Sequence, residues 1–371
     1  MRFLHIADLH LGFALNGVSF HEEQEHALCE IREIIRREHI GAVLIAGDVF
    51  DRAVTSADTL ALYDRFLTAL RCEDHISTFL IAGNHDGGAR LAQLSAILSA
   101  SDIYICGMLT ERPKPILCGD CEVWLVPFFH TDQVRLLYPE EPINSANDAM
   151  ASIVGDILQR RDPSKKSVLV AHCFVNGAQL SESDVGARLG GASLIGADAF
   201  DGLDYVALGH LHGMQHPSAR VWYAGSPYPY SFSEGEKYAV IYDSESDEIA
   251  PVPLHPLRRL RTLSGTYDEV LAIAESDGSR EDYMRIILTD RSVGLETLER
   301  FRERYPRLLL VLGASETAGQ GTTLTTEELA SMEPKDLLTR FCLETAGYQP
   351  DADEIELFLQ ALREAGEEDV Q

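Results

Sequence analysis

Five short segments carry residue types that bind metal ions and move protons. They are Asp8-Leu9-His10, Gly47-Asp48-Val49-Phe50-Asp51, Gly83-Asn84-His85-Asp86, an isolated His172, and Gly209-His210-Leu211-His212. Each follows a short apolar run: Phe3–Ala7, Ala42–Ala46, Thr78–Ala82, Val168–Ala171 and Tyr205–Leu208. Taken singly, an Asp or Asn after a strand is usually a turn former or helix cap, and a lone His is usually a satisfied, partly buried side chain. Five such sites in succession, all of ligand chemistry and all at strand ends, are hard to obtain by chance. In Asp8/His10 and His210/His212 the i, i+2 spacing puts both members of an extended pair on one side.

Carboxylates and imidazoles gathered at one place suit phosphoester cleavage. Two divalent ions about 3.5–4 Å apart bind the phosphate, lower the pKa of an attacking water and stabilise the leaving oxygen. Mixed oxygen and nitrogen donors fit Mn, Fe or Zn better than Mg, which keeps to oxygen. Asp48 is the natural bridge, because its two oxygens can each serve one ion. His85 lies beside Asn84 and need not be a ligand; once protonated it can stabilise or protonate the leaving group. Asp51 and Asp86 each either orient a histidine from behind or cap a turn. His5, His21, His26 and His130 fit no ligand spacing and read as structural or surface residues. Cys118-Gly119-Asp120-Cys121 has the spacing of a metal or redox pair, but a Gly-Asp hairpin turn flanked by thiols explains it better.

The elements that position these residues can be read from periodicity. Continuous apolar runs bounded by Gly or polar residues predict strands buried on both faces. Between them Glu22–His39 places Leu28, Ile31, Ile34 and Ile35 on one helical face, and Ala57–Leu70 and Arg90–Leu98 read similarly. Ligands of open α/β sheets bind at the carboxyl ends of strands, so five strand ends converge on one edge. Residues 1–255 therefore predict a layered α/β domain with covered sheets. Residues 256–313 repeat a smaller pattern, extended at Leu257–Leu263, Tyr283–Leu288 and Leu308–Leu312 and helical at Tyr267–Ala274 and Leu295–Arg304, which predicts a small α+β domain. A Gly/Ser/Thr-rich linker over 314–326 follows. The tail, 327–371, holds two short amphipathic helices, one with Leu337, Leu338 and Phe341, the other with Ile355, Phe358, Leu359 and Leu362. Helices this short are marginal alone and must pack on the body or on a partner.

Composition narrows the class. With 45% hydrophobic and 24% charged residues, the chain has the make-up of a soluble globular protein. No apolar run approaches the roughly 18 residues of a spanning helix, so no membrane association is expected. The start runs straight into a strand pattern, so no signal peptide is expected. Seven scattered cysteines suit a reducing cytoplasm. The net charge of −28 argues against strong unaided binding to DNA, whose affinity comes from cationic groups meeting phosphates. The acid is unevenly spread: residues 314–371 hold fourteen acidic and three basic residues, whereas 256–313 hold ten of each.

The order D-x-H, G-D-x-x-D, G-N-H-D, His and G-H-x-H resembles the signature of calcineurin-like metallophosphoesterases, over residues 1 to about 255. Finer likeness is to the SbcD family of bacterial nuclease subunits. It rests on Ala171-His172-Cys173-Phe174-Val175-Asn176-Gly177-Ala178, on Asp204 to His212, on Ala224-Gly225-Ser226-Pro227, and on Ser231-Phe232-Ser233-Glu234 with Lys237. The resemblance implies a layered β-sandwich flanked by helices, a small α+β DNA-capping domain and a helical partner-binding tail. It implies that Asp8, His10, Asp48 and His212 bind one ion, that Asp48, Asn84, His172 and His210 bind the other, and that His85 is the non-ligand catalytic histidine. It implies manganese, action on double-stranded DNA ends and hairpins, a homodimer within a heterotetramer, and an SbcC-type coiled-coil ATPase as partner. The chain has no G-x-x-x-x-G-K-[ST] loop of its own, so ATP dependence would come from that partner. Arg258, Arg259 and Arg261 either contact phosphate or form a solvated edge strand. Two alternatives stand beside this: a phosphoesterase of the same superfamily acting on nucleotides or phosphoproteins, and a scaffold that has lost catalysis. The additional domain and tail argue against the first, and the intact ligand set against the second.

Overall fold

A computed structural model of the chain describes residues 1–179 and 194–314, together with 335, 338–339, 350–351 and 354–359. The chain divides into two compact units, Met1–Arg261 with Glu281–Tyr283, and Thr262–Arg280 with Met284–Gln371.

The first unit runs β1 (Arg2–Ile6), α1 (His21–Arg37), β2 (Ala42–Ala46), α2 (Ala57–Cys72) and β3 (Ser77–Ile81). Two single-turn helices, α3 (Gly88–Leu91) and α4 (Ser95–Leu98), lead to β4 (Ile103–Cys106). Then come β5 (Ile116–Cys118), β6 (Cys121–Val126), α5 (Thr131–Leu137), α6 (Ala146–Arg160), β7 (Lys166–His172), β8 (Tyr205–Gly209), β9 (Val221–Tyr223), β10 (Lys237–Asp243) and β11 (Glu248–Leu254). One sheet has the order β11-β10-β1-β2-β3-β4 and the other β9-β8-β7-β6-β5. Strands β1 to β4 run parallel, as do β6 to β9.

Alternation along each strand explains the layers. Phe3 and Ala7 point between the sheets, where they meet Val168, Val170, Tyr205 and Ala207. Leu4 and Ile6 point the other way, against Leu28, Ile31, Ile34 and Ile35 of α1 and Leu62 and Phe66 of α2. The second sheet buries Leu169 and Val206 against Ile153, Val154 and Ile157 of α6. Both sheets are thus covered on both faces, which is why their strands read as unbroken apolar runs. Each fully buried Leu or Ile contributes about 1.5–3 kcal/mol relative to exposure. His5 shares the Phe3 face. Its Nδ1 lies 2.9 Å from the Tyr205 hydroxyl and its Nε2 3.0 Å from the Leu208 carbonyl oxygen, so it is a core residue, as its lack of ligand spacing suggested.

The expected helix over Arg90–Leu98 is instead broken into α3 and α4. Leu94 between them has φ of 61°, a left-handed conformation that a Leu rarely adopts and a continuous helix cannot contain. Apolar spacing reported the two turns but not the kink. The Cys118–Cys121 pair closes the β5–β6 hairpin, with the two residues directly opposite each other and Gly119 at φ of 60°. Burial pushes the thiols up to about 12 and about 11, which leaves them inert at neutral pH.

The second unit runs β12 (Leu260–Gly265), α7 (Tyr267–Ser276), β13 (Tyr283–Leu288), α8 (Leu295–Arg304) and β14 (Leu308–Leu312), in the sheet order β12-β13-β14. Val270, Ala274, Met284, Ile286, Leu288 and Phe301 form its core. Thr266 and Glu269 cap α7 reciprocally, as a capping box does. The expected linker, past Ala314, lies outside the described residues, as do Leu337, Phe341 and Leu362 of the tail. Residues 354–359 are helical, with Ile355, Phe358 and Leu359 half-buried and Leu357 exposed. Among the described residues no helix is long and apolar enough to cross a membrane.

Candidate metal centre

The five segments meet at the carboxyl ends of β1, β2, β3, β7 and β8. Backbone pairing continues beyond the strands: Asp8 N–H donates to Gly47 O (3.0 Å) and His10 N–H to Asp48 O (2.9 Å). The turns are tight. Asp8, His10, Asp48 and His210 all have positive φ, at 52°, 37°, 49° and 111°. Four non-glycine residues held in costly backbone regions at one edge suggest that the surrounding structure over-determines a functional site. Glycine is required alongside: a Cβ on Gly47 would run into the His172 ring, and one on Gly83 into the Asp48 carboxylate.

Two constellations share Asp48. In one, Asp8, His10 and Asp48 bring ligand-type atoms within 4.8 Å of one another, and His212 Nε2 lies 3.3 Å from His10 Nε2. In the other, Asp48, His172 and His210 do the same, and Asn84 Oδ1 lies 2.9 Å from His172 Nε2 and 3.0 Å from His210 Nδ1. The seven ligand-type residues expected from the sequence are therefore brought together. His85 lies at the exposed rim. Its N–H donates to Asp48 Oδ1 (2.8 Å), its Nδ1 faces the Asp51 carbonyl oxygen (3.0 Å), and its ring packs edge-on against His10 at 4.7 Å.

The residues fit divalent ions on their own chemistry. Asp8 Oδ2 is buried and accepts no hydrogen bond, which is costly for a carboxylate unless something positive faces it. Imidazole nitrogens face each other at 3.3 Å in two places, His10–His212 and His172–His210, an arrangement that needs a proton or a cation nearby. Burial lifts the Asp8 carboxyl to about 7. Burial also acts against charge on Asp48, but His172, His10 and His85 outweigh it and hold that carboxyl far below its usual range. Burial lowers His10 and His210 to about 3, the neutral form a ligand requires. At His172 burial is overcome by Asp48 and Asp8, which raise it to about 9.

Asp51 and Asp86 separate. Asp86 accepts from the N–H groups of Gly83, Val49 and Phe50 at 2.9–3.1 Å, so it ties two of the turns together. Asp51 Oδ1 lies 3.8 Å from His10 Nδ1, behind that ring. Sequence reasoning missed Tyr230 and Gln24. The Tyr230 ring packs edge-on against His10 and His212 at 5.0 and 4.8 Å, and its hydroxyl donates to Asp8 O (2.7 Å). Gln24 donates to His10 O (2.9 Å). Neither has ligand chemistry or sits at a strand end; the one available signal was Tyr230 standing beside the family-like Ser231–Glu234 segment. Of the three arginines singled out, Arg258 is ion-paired with Glu22 and Glu23 (2.8 and 2.7 Å) and Arg261 with Asp282 (2.8 Å). The Arg259 side chain is exposed.

A two-layer sandwich with carboxylates, imidazoles and one amide at its carboxyl edge defines a metal-dependent phosphoester hydrolase. Residues 1–214 match the family described as calcineurin-like phosphoesterase, and the chain belongs to that family. Residues 253–346 match a second family, described as the type 5 capsule protein repressor C-terminal domain. Among curated relatives, the SbcD component of the nuclease SbcCD from Staphylococcus saprophyticus is 27% identical over 99% of this chain and 100% of its own length. Its counterpart from Staphylococcus epidermidis, also an SbcCD nuclease component, is 28% identical over 83% of this chain and 84% of its own. A structurally characterised archaeal phosphodiesterase is 12% identical and covers 68% of this chain and 100% of its own, at a TM-score of 0.34. Family and curated relatives together support a phosphodiester hydrolase of the nuclease kind.

Proposed function

We propose that this chain is the DNA-cleaving subunit of an SbcCD-type complex, hydrolysing phosphodiester bonds at DNA ends and hairpins with two divalent ions, manganese for preference. The observation that carries this is the meeting of two ligand sets at Asp48, in a chain aligned along nearly its whole length with a relative of that name. Asp8, His10, Asp48 and His212 would hold one ion, and Asp48, Asn84, His172 and His210 the other. Bound there, the ions supply an activated water and neutralise charge on phosphate. Asp48 keeps the two sets in register through one carboxylate. His85, with Nδ1 turned to the Asp51 carbonyl, offers Nε2 to the leaving oxygen as proton donor.

Residues 1–255 form the nuclease domain in this reading and 256–313 the DNA-capping domain. The linker over 314–326 carries the partner-binding tail, 327–371. That tail docks an SbcC-type coiled-coil ATPase, the source of any ATP dependence, and the working unit is a homodimer within a cytoplasmic heterotetramer. The net charge of −28 fits this division, since the isolated chain should bind DNA weakly and lose it steeply with salt. The test incubates the purified chain with linear and hairpin DNA and manganese, with and without the ATPase. Metal-dependent cleavage that gains ATP dependence with the partner is expected. Cleavage of small phosphoesters with DNA left intact in both conditions would overturn the assignment.

A further inference from the structure

We infer that Glu234, held by Lys237, is the positioning residue that aims His212 at the metal centre. The inference rests on the two-ion reading above and concerns a part of the chain that supplies no ligand.

Glu234 and Lys237 lie three residues apart in the segment between β9 and β10. Their side chains are 2% and 4% exposed, and the two form an ion pair. Burying two charges costs several kcal/mol per ion unless geometry and further hydrogen bonds compensate. Here the compensation is specific. The Lys237 ammonium donates to the His212 carbonyl oxygen at 2.9 Å and to Ser226 Oγ at 2.7 Å, besides the Glu234 carboxylate. Its three donors therefore meet three acceptors, one on each of three loops. Ser226 in turn is fixed by donation to Tyr228 O (2.9 Å), and its own N–H donates to His212 O (3.1 Å). The backbone of His212 is clamped from two sides.

The second Glu234 oxygen, Oε1, faces His212 Nδ1 at 3.8 Å, while His212 Nε2 faces His10 Nε2 at 3.3 Å. A carboxylate behind one ring nitrogen favours the tautomer with its proton there and leaves the other nitrogen's lone pair for a cation. The same logic recurs in the centre. His172 has Nδ1 2.8 Å from Ala46 O, and His10 has Nδ1 towards Asp51. Three imidazoles thus each have an oxygen acceptor behind them, and of the three only at His212 is that acceptor itself held by a buried cation. Lys237 keeps Glu234 ionised and stops it from swinging into the centre as a competing ligand.

The test is manganese binding to the full-length, metal-free chain, followed by calorimetry and by electron paramagnetic resonance of the bound ion, beside thermal unfolding without metal. Glu234→Gln keeps the shape and removes the charge. It should weaken one of two binding events by about 10–100-fold and leave the other unchanged. The double variant Glu234→Gln/Lys237→Met removes both charges, so it avoids stranding the ammonium; it should fold and show the same selective loss. Wild-type affinity for both ions in a folded variant overturns the inference. A parent chain that binds no manganese at all overturns the two-ion reading beneath it, and the two failures are read from different samples.

Discussion

His5 and His172 are both fully buried, in adjoining parts of the same sandwich, yet their surroundings differ in kind. Burial lowers His5 to about 3, and each of its nitrogens has a neutral partner, a hydroxyl and a strand carbonyl. Its needs are met inside the fold. At His172, Asp48 and Asp8 outweigh burial and raise the pKa to about 9. That ring shares its space with another imidazole nitrogen and an amide oxygen, and nearby Asp8 Oδ2 has no donor. Burial therefore does not separate a functional histidine from a structural one. The separation lies in whether the partners inside the fold suffice. Between the sheets they do; at the carboxyl edge there are more acceptors than donors, and something positive is missing.

The contrast is broken most forcefully at Asp48. Asp48→Asn should reduce DNA cleavage to background and abolish paired manganese binding, because the residue belongs to both ligand sets. A variant that still binds two manganese ions, measured by metal analysis of the washed protein, would mean that the sets do not depend on a shared carboxylate. His85→Ala tests the rim. It should keep both ions and lose about 10²–10⁴-fold in rate. Single-turnover cleavage near the parent's rate, with both ions bound, would remove His85 from proton transfer.

Much of the edge was legible in the sequence, and the reason is physical. A strand buried on both faces must be an apolar run, so Asp8, Asp48, Asn84, His172 and His210 stood out as the first polar groups after each run. What escaped were groups that act from behind. Tyr230 and Gln24 belong to segments remote in sequence from the residues they brace, and nothing in their spacing records that. Asp86 could not be told from a cap because it does cap, accepting from three N–H groups on two turns. The kink at Leu94 was hidden for another reason: a Leu gives no sign that its φ will be positive. In the small unit, strands β13 and β14 and helix α8 followed periodicity closely, whereas the first strand began at Leu260 and not Leu257, since Arg258 is drawn to Glu22 and Glu23.

His5 sharpens the comparison from the structural side. His5→Phe removes the partner of the Tyr205 hydroxyl and should cost about 1–3 kcal/mol without altering manganese binding. The pH dependence carries a sign. The folded pKa, about 3, lies below the ordinary 6.5, so the unfolded chain takes up a proton that the folded chain refuses. This contribution to stability is full above pH 6.5 and is lost as pH falls toward 3. The variant's melting temperature should accordingly decline less steeply than the parent's over that window. An identical slope would show that His5 is not held neutral in the core.

The smallest effect expected applies the same criterion to the arginines. Arg258 is spent on Glu22 and Glu23, and Arg261 on Asp282; their charges are answered inside the fold. Arg259 is exposed, and its backbone N–H donates to Asp282 (3.0 Å). If DNA is the substrate, Arg259 is the member of the trio with charge to offer a phosphate. Arg259→Ala should weaken DNA binding a few-fold and make the dependence of log affinity on log salt shallower by about 0.9, the value of one phosphate contact. Arg258→Ala should leave that slope unchanged and lower thermal stability, because it strands the buried Glu23 carboxylate. Binding isotherms across a salt series decide it. Equal changes of slope in both variants would show that an arginine paired in the free protein is released to DNA, and that partners counted in the unbound chain do not decide which charges reach a ligand.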